Sequence, residues 1–524
     1  MSQQTILQPL DYAVILLYLI SLIAIGFFIS LHKRQSQDLF LAGRQLGWFS
    51  IGLSIWGTNI SPSMMLASCS IAYTTGMVAS TFSWFAWYCL LLLGMVFLPY
   101  YLRTRISTMP EFLEKRFDSR CRRFLSFYVL LSTLVLWLGT TLYVSGLLLS
   151  QLIAMPLWLA MLLLLIVATS FTVAGGLAAV VYTDSFQAIL MIGMSITLTV
   201  IVFTKIGGIA PLIQSTPKEY WSLFKPVDDP AFPWPALVFG YPVIGVWFWC
   251  TDQTIVQRAL GARNLQQGQL GTLFPAFIKV VEPFIFFLPG ILCFVLHPDL
   301  GNPDLAYTKL VTTYLPVGLV GLVVAVLIAA LISTLDSGLN SFSTVFTLDV
   351  YRIWWNPGAA QAKTRLVGRL ATLLAAAITF FCAWGLSAVG KDLFNLFQSI
   401  IAFFAPPLTA VFLVGMLWKK ATARAAFVTL VVGCPVSVTF GLGHILNWPA
   451  NFAWPHYLLV SLYLFLFLAL LMIALSLFKP EKPAFAGKPP TFSGISQKQN
   501  PSLGIWIAWA VLAMIMAAIY LIFS

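Results

Sequence analysis

The chain has 524 residues, of which 60% are hydrophobic and 9% charged, with 42 Phe, 18 Trp and a formal net charge of +12; its mean hydropathy is +0.92. A soluble globule carries about 25% charged residues to solvate its surface and a disordered chain has low hydrophobicity, so both are excluded. Seven Cys, odd in number and mostly inside apolar runs, do not build a secreted disulfide scaffold, and the basic residues lie in short connectors rather than in the solvated patch of a nucleic-acid binder.

A bilayer core of about 30 Å takes roughly 20 apolar residues in helical form. About fourteen stretches qualify: 10–31, 47–75, 78–102, 124–153, 156–174, 180–204, 236–256, 268–296, 306–349, 366–389, 392–418, 423–445, 455–478 and 503–523. The predicted class is an all-α polytopic membrane protein. The opening MSQQTILQPLDY has no positive n-region and no small-residue cleavage site, so no signal or transit peptide is expected. Two longer polar stretches remain, 206–235 and 479–502. The second is Pro- and Lys-rich and reads as a flexible cytoplasmic linker.

Cytoplasmic connectors are enriched in Lys and Arg. With the amino terminus outside, the inner connectors hold 23 of the 29 basic residues, from Lys33 and Arg34 through the Arg103–Arg123 group to Lys498. Lys205, Lys218, Lys225, Lys309 and Lys391 fall outside, and only Lys279 sits well inside a helix. An even number of crossings then leaves both termini outside. The short connectors and minimal ends suggest a bacterial inner membrane, with both termini periplasmic.

Two segments look interrupted. The second reads IGLSIWGTNISPSMMLAS, with Gly57, Asn59, Ser61 and Pro62; five helices later comes LVFGYPVIGVWFWC, with Gly240, Pro242 and Gly245. Paired Gly/Pro interruptions at corresponding places point to an inverted repeat with a midplane site, although Gly and Pro are also simply common in membrane helices. The expected organisation is an N-terminal helix outside the repeats (1–36), a first repeat (37–235), a second repeat (236–420), two further helices (421–478), the linker (479–502) and a C-terminal helix (503–524).

Ionisable residues inside a membrane are costly and usually face the bundle interior; here they are Asp184, Asp252, Lys279, Glu282 and Asp336. Ser333, Thr334, Asp336 and Ser337 lie within one helical turn. Such oxygens, with carbonyls freed by an unwound helix, suit a hard cation; alternatively the hydroxyls bond back along their own helix. Lys279 could pair with Glu282 at i+3. The aromatic run Trp247, Phe248 and Trp249 could be packing or an interfacial belt. The four His are too dispersed for a metal site.

Several of these stretches are long motifs in order: DLFLAGR at 38–44, PEFLEKRF at 110–117, GGLAAVVYTDSFQ at 175–187, TDQTIVQRAL at 251–260 and LISTLDSGLNSFSTVFTLDVYR at 331–352. Together they resemble the sodium/solute symporter family, closest to its sodium–glucose cotransporter branch, from about residue 9 to about residue 478. The resemblance implies a LeuT-type fold of two inverted five-helix repeats plus extra helices. It implies a sodium site formed by carbonyls of Gly57, Ile60 and Ala330 and hydroxyls of Ser333 and Thr334. A second cation site would use Asp184, Asp336 and Ser337. Most sugar carriers have a neutral residue at the position of Asp336, and inositol-type carriers resemble this chain in having Asp, which favours a polyol.

For the solute, the resemblance places polar contacts at Asn59, Lys279 and Gln398 and a stacking aromatic in the Trp247–Trp249 cluster, with Phe248 where Tyr is usual. Met64 stands where Gln or His is expected and Ser83 where sugar carriers have Glu. Losing such hydrogen-bonding contacts can cost orders of magnitude in affinity for the original ligand. PEFLEKRF reads as a structural loop. The implied function is secondary active import of a sugar or polyol with sodium as coupling ion, by alternating access. It needs no cofactor, no metal besides sodium and no nucleic acid, with lipid as surroundings. Alternatives are a carrier of an organic anion such as sialic acid or a carboxylate, with Lys279 as its counter-ion, and a non-transporting nutrient sensor. A membrane-embedded enzyme would need a nucleophile with its base, or a metal cluster, and the sequence offers neither.

Overall fold

The computed structural model describes residues 7–32, 39–153, 155–386, 393–478 and 502–524, without the side chains of 27, 30–32, 63, 136, 151–153, 171 and 393–400. Most of the linker at 479–502 is thus outside the described residues. Among those described, ten helical spans are long and apolar enough to cross a bilayer, accompanied by three shorter apolar helices, Leu157–Ser170, Ala236–Thr251 and Ile401–Leu417. A helix that is apolar all round is either enclosed by others or faces lipid, and burial separates the two. The most apolar window of Leu319–Trp355 is 89% buried, whereas those of Pro9–Gly26 and Leu503–Ile522 are 28% buried. The former is therefore the axis of the bundle and the latter two are its rim.

The long helix Leu157–Ile206 lies against Leu319–Val345, Trp48–Asn59 against Leu265–Phe286, and Pro62–Thr75 against Leu288–Leu296. Helix Leu157–Ile206 turns at Gly176, where φ is +56°. A Cβ there would lie 2.3 Å from the Leu39 carbonyl oxygen, so only glycine fits. The segments expected at 156–174 and 180–204 therefore meet at one residue rather than through a connector.

The first interruption lies where its local chemistry puts it. Pro62 disfavours helical backbone at the residue before it, and Ser61 is extended, its hydroxyl capping the amide of Met64 in the helix Pro62–Thr75. The second interruption is a correction. The chain does not break at Gly240, Pro242 or Gly245 but at Asp252, which is extended (φ −70°, ψ 131°) and caps the amide of Thr254 to start the helix Gln253–Leu260. Pro242 sits inside the continuous helix Ala236–Thr251, directly after the π-helical turn Ala236–Gly240, the kind of widened turn that accommodates an insertion in the hydrogen-bond ladder. Gly240 serves close packing instead, since a Cβ would lie 2.4 Å from the Leu458 carbonyl oxygen.

The span expected at 306–349 also divides, into Ala306–Tyr314 and Leu319–Val345. The second of these is capped from another helix: Asp11 Oδ1 accepts the amides of Gly318 and Gly321, each at 2.8 Å. The motif PEFLEKRF forms the short helix Met109–Arg116, capped by Thr108. Arg116 there donates to the carbonyls of Gly415 at 2.7 Å and Trp418 at 3.0 Å, closing the end of a distant helix. These contacts are structural in kind.

Candidate ion and solute site

The sodium ligands expected from the sequence converge where the first interruption crosses helix Leu319–Val345. Ile60 N–H donates to the Gly57 carbonyl at 3.2 Å, and Gly57 lies so close to Ser333 that a Cβ would be 3.7 Å from Ser333 Oγ. Ser333 donates its proton to Asp184 Oδ1 at 2.5 Å, and Thr334 donates to the Ala330 carbonyl at 3.0 Å. A hydroxyl has one proton and two lone pairs. With both protons committed elsewhere, the two side chains present lone pairs, as a hard cation requires.

Beside this cluster lies a second, more strongly charged one. Asp184 Oδ2 accepts from Ser54 Oγ at 2.5 Å and from the Arg258 guanidinium at 3.2 Å. Arg258 also donates to Ser54 at 2.7 Å and to Ser337, and Ser337 is 3.1 Å from the Thr58 hydroxyl. All these side chains are buried. Asp336 Oδ2 has no hydrogen-bond partner among the described residues, and Asp336 Oδ1 has Ser337 at 3.3 Å. The expected Asp184, Asp336 and Ser337 are thus together, with two carboxylates to one guanidinium. Arg258 is the residue that the sequence reading missed, having been counted among the connector charges. Its signal was its place one short helix after Asp252, in a segment whose residues are all buried.

A cavity of about 1060 Å³ opens beside the first cluster. Its lining runs from Thr58, Asn59 and Thr334 to Asp228, Trp454 and His456 in the connecting segments, and includes the expected Met64, Ser83, Trp247, Phe248, Trp249 and Lys279. Gln398 lies outside the described side chains. Phe248 and Trp249 meet edge to face at 4.9 Å, and Trp137, not foreseen, packs on Phe248 at 5.8 Å. Lys279 does both things considered for it. It pairs with Glu282 at 2.8 Å, while its ammonium also donates to Asn59 Oδ1 and stands 5.4 Å from the Trp249 ring centre.

On the far side of the breaks, toward Arg103, Arg116 and Arg263, hydrogen bonds tie the elements together. Tyr101 donates to the Cys250 carbonyl at 2.9 Å. Gln257 donates to the Phe40 carbonyl and to Thr344 Oγ1, each at 2.7 Å.

A helical bundle with two interrupted helices, buried ionisable clusters at the interruptions and a cavity open to one end defines a carrier. The chain belongs to the sodium:solute symporter family, whose model matches residues 39–433; it is a multi-pass membrane transporter, not an enzyme. It is 32% identical over 471 residues to sodium/glucose cotransporter 4 of Danio rerio, covering 82% of this chain and 71% of that one. It is 33% identical over 469 residues to sodium/myo-inositol cotransporter 2 of Homo sapiens, covering 82% and 69%. In fold it is similar to an outward-open, substrate-bound Na+-coupled sialic acid symporter, with a TM-score of 0.78 at 23% identity over 91% of this chain and 99% of that one. The fold is of the LeuT type.

Proposed function

We propose that the protein imports a sugar or polyol together with sodium by alternating access. The observation that carries this reading is that Thr58, Asn59 and Thr334, which belong to the ion clusters or flank them, also line the solute cavity. An ion held between the carbonyls of Gly57 and Ile60 and the hydroxyls of Ser333 and Thr334 would tie the first interrupted helix to the bundle axis and so shape the cavity floor. Its release on the other side would loosen both. Each positive charge moved inward gains about 2.3 kcal/mol per 100 mV of membrane potential, enough for substantial accumulation of solute.

Charge favours a neutral solute over an organic anion. Lys279 is already paired with Glu282, and among the described residues the cavity lining adds Asp228 and Asp229 without another Lys or Arg. The excess carboxylate of the Asp184, Asp336 and Arg258 cluster supports a second cation site there, with Ser337 as a further oxygen. Interruptions at Ile60 and Asp252, each in the first helix of its half, support repeats at 37–235 and 236–420. With Arg258 withdrawn into the buried cluster, the proposed orientation in the plasma membrane keeps the other 22 basic residues of the inner connectors inside and both termini outside, with fourteen crossings; the cavity then faces outward.

The test is uptake of radiolabelled glucose, mannose, myo-inositol and sialic acid into proteoliposomes, with and without an inward sodium gradient. A neutral solute should accumulate only with sodium. Accumulation of sialic acid alone would overturn the neutral-solute reading, and binding without flux would make the protein a sensor.

A further inference from the structure

Glu282 does not line the cavity, yet it is fully buried and holds three groups at once. Its Oε2 accepts from Trp56 Nε1 at 2.7 Å. Its Oε1 accepts from Ser83 Oγ at 2.6 Å and from Lys279 Nζ at 2.8 Å. Ser83 and Lys279 both reach the cavity, so the carboxylate stands one layer behind the wall and touches it from two helices. A buried ammonium facing a low-dielectric cavity without a counter-charge would act as an anion receptor, because an ion in such surroundings gains most from an opposite charge.

We infer that Glu282 sets the charge class of the solute: by neutralising Lys279 from behind, it makes the lysine a hydrogen-bond donor to hydroxyls and denies it to carboxylates. Glu282 is a positioning residue, since it acts through Lys279 and Ser83. The inference rests on the proposed reading of the cavity as the solute site. Because Ser83 Oγ and the carboxylate are in contact, Ser83→Glu combined with Glu282→Ser returns a carboxylate to nearly the same place from the opposite helix, with side-chain volume conserved.

The experiment measures sodium-driven uptake of whichever of glucose, mannose or myo-inositol the wild type carries, and its inhibition by D-glucuronate, a hexose-sized anion. If the wild type carries none of the three, the functional reading fails and the inference falls with it. If it carries one, D-glucuronate should compete poorly against wild type. In Glu282→Gln its inhibition constant relative to the neutral solute should fall at least about tenfold, given the strength of close buried charge pairs. The Ser83→Glu, Glu282→Ser exchange should restore exclusion, a rescue that a merely structural role does not give. An unchanged inhibition ratio in Glu282→Gln overturns the inference, as does an exchange variant that transports with normal sodium dependence but still admits the anion. If Glu282→Gln does not fold, Glu282→Asp withdraws the carboxylate by one methylene and should shift the ratio partway; no shift there overturns the inference equally.

Discussion

Removing the Thr334 hydroxyl is the sharpest perturbation of the proposed sodium site. In Thr334→Ala the site keeps the carbonyls of Gly57, Ile60 and Ala330 and the Ser333 hydroxyl, and loses one oxygen whose proton is engaged by Ala330 at 3.0 Å. Alanine has the better helix propensity, by up to about 0.7 kcal/mol, and the lost intrahelical bond leaves Ala330 with its helical partner. Folding is thereby separated from ion binding. An interaction with a charged partner is worth about 1.5–3 kcal/mol, which corresponds to roughly a ten- to hundredfold rise in the sodium concentration for half-maximal uptake. The assay is initial uptake rate against sodium concentration, with Thr334→Ser as the variant that keeps the hydroxyl and returns the curve most of the way. Lys279→Ala should move this sodium curve less, because its contacts are on the solute side. Superimposable sodium curves for wild type and Thr334→Ala would refute the assignment.

Two further outcomes are expected. Asp336→Asn removes the carboxylate whose Oδ2 lacks a partner among the described residues, so the number of charges moved per solute, read from reversal potentials, should fall by one while uptake persists; an unchanged ratio removes Asp336 from the coupling. At the cavity mouth, burial pushes the His456 imidazole down from 6.5 to about 4, despite its bond to the Ala231 carbonyl. Neutral His456 uses both nitrogens, with Nε2 3.2 Å from that carbonyl and Nδ1 accepting from Leu458 N–H at 3.4 Å. Between pH 6.5 and 4 the unfolded chain binds the extra proton, so stability is full above 6.5 and declines as pH falls toward 4. Thermal melts across that range should decline less in His456→Gln, and identical slopes would exclude the histidine.

How much of this could be read beforehand depended on how local the cause was. The first interruption was legible because Ser61 and Pro62 act on their immediate neighbours through a cap and a ring. The second is harder to place because Gly240 and Gly245 look like breaks but are spacers, the first packed against the Leu458 backbone and the second against the Cys89 side chain. Asp252, which does make the break, reads in the sequence only as a charge. Arg258 is obscured for a related reason. It follows a half-helix and resembles a connector residue, and its burial is decided by Ser54 and Asp184, distant in sequence. For Glu282 the i+3 spacing predicted Lys279, whereas Trp56 and Ser83 come from other helices and leave no local trace.

The two charged clusters meet on one short helix, and that arrangement explains coupling without a long path. In Trp48–Asn59, Ser54 and Thr58 stand four residues apart and so share a face; they contact Asp184, Arg258 and Ser337. Trp56 and Asn59, three apart, share a neighbouring face and contact Glu282 and Lys279. Gly57 lies between them, and its carbonyl is one of the proposed sodium ligands. Any rotation or shift of this helix that improves one set of contacts must disturb the other, because both sets are close-packed at hydrogen-bonding distance. Ion and solute then bias the same rigid element, which is the physical requirement for energetic coupling between two sites. The interruption at Ile60 ends that element, so that Pro62–Thr75 begins beyond it as a separate helix with its own cap.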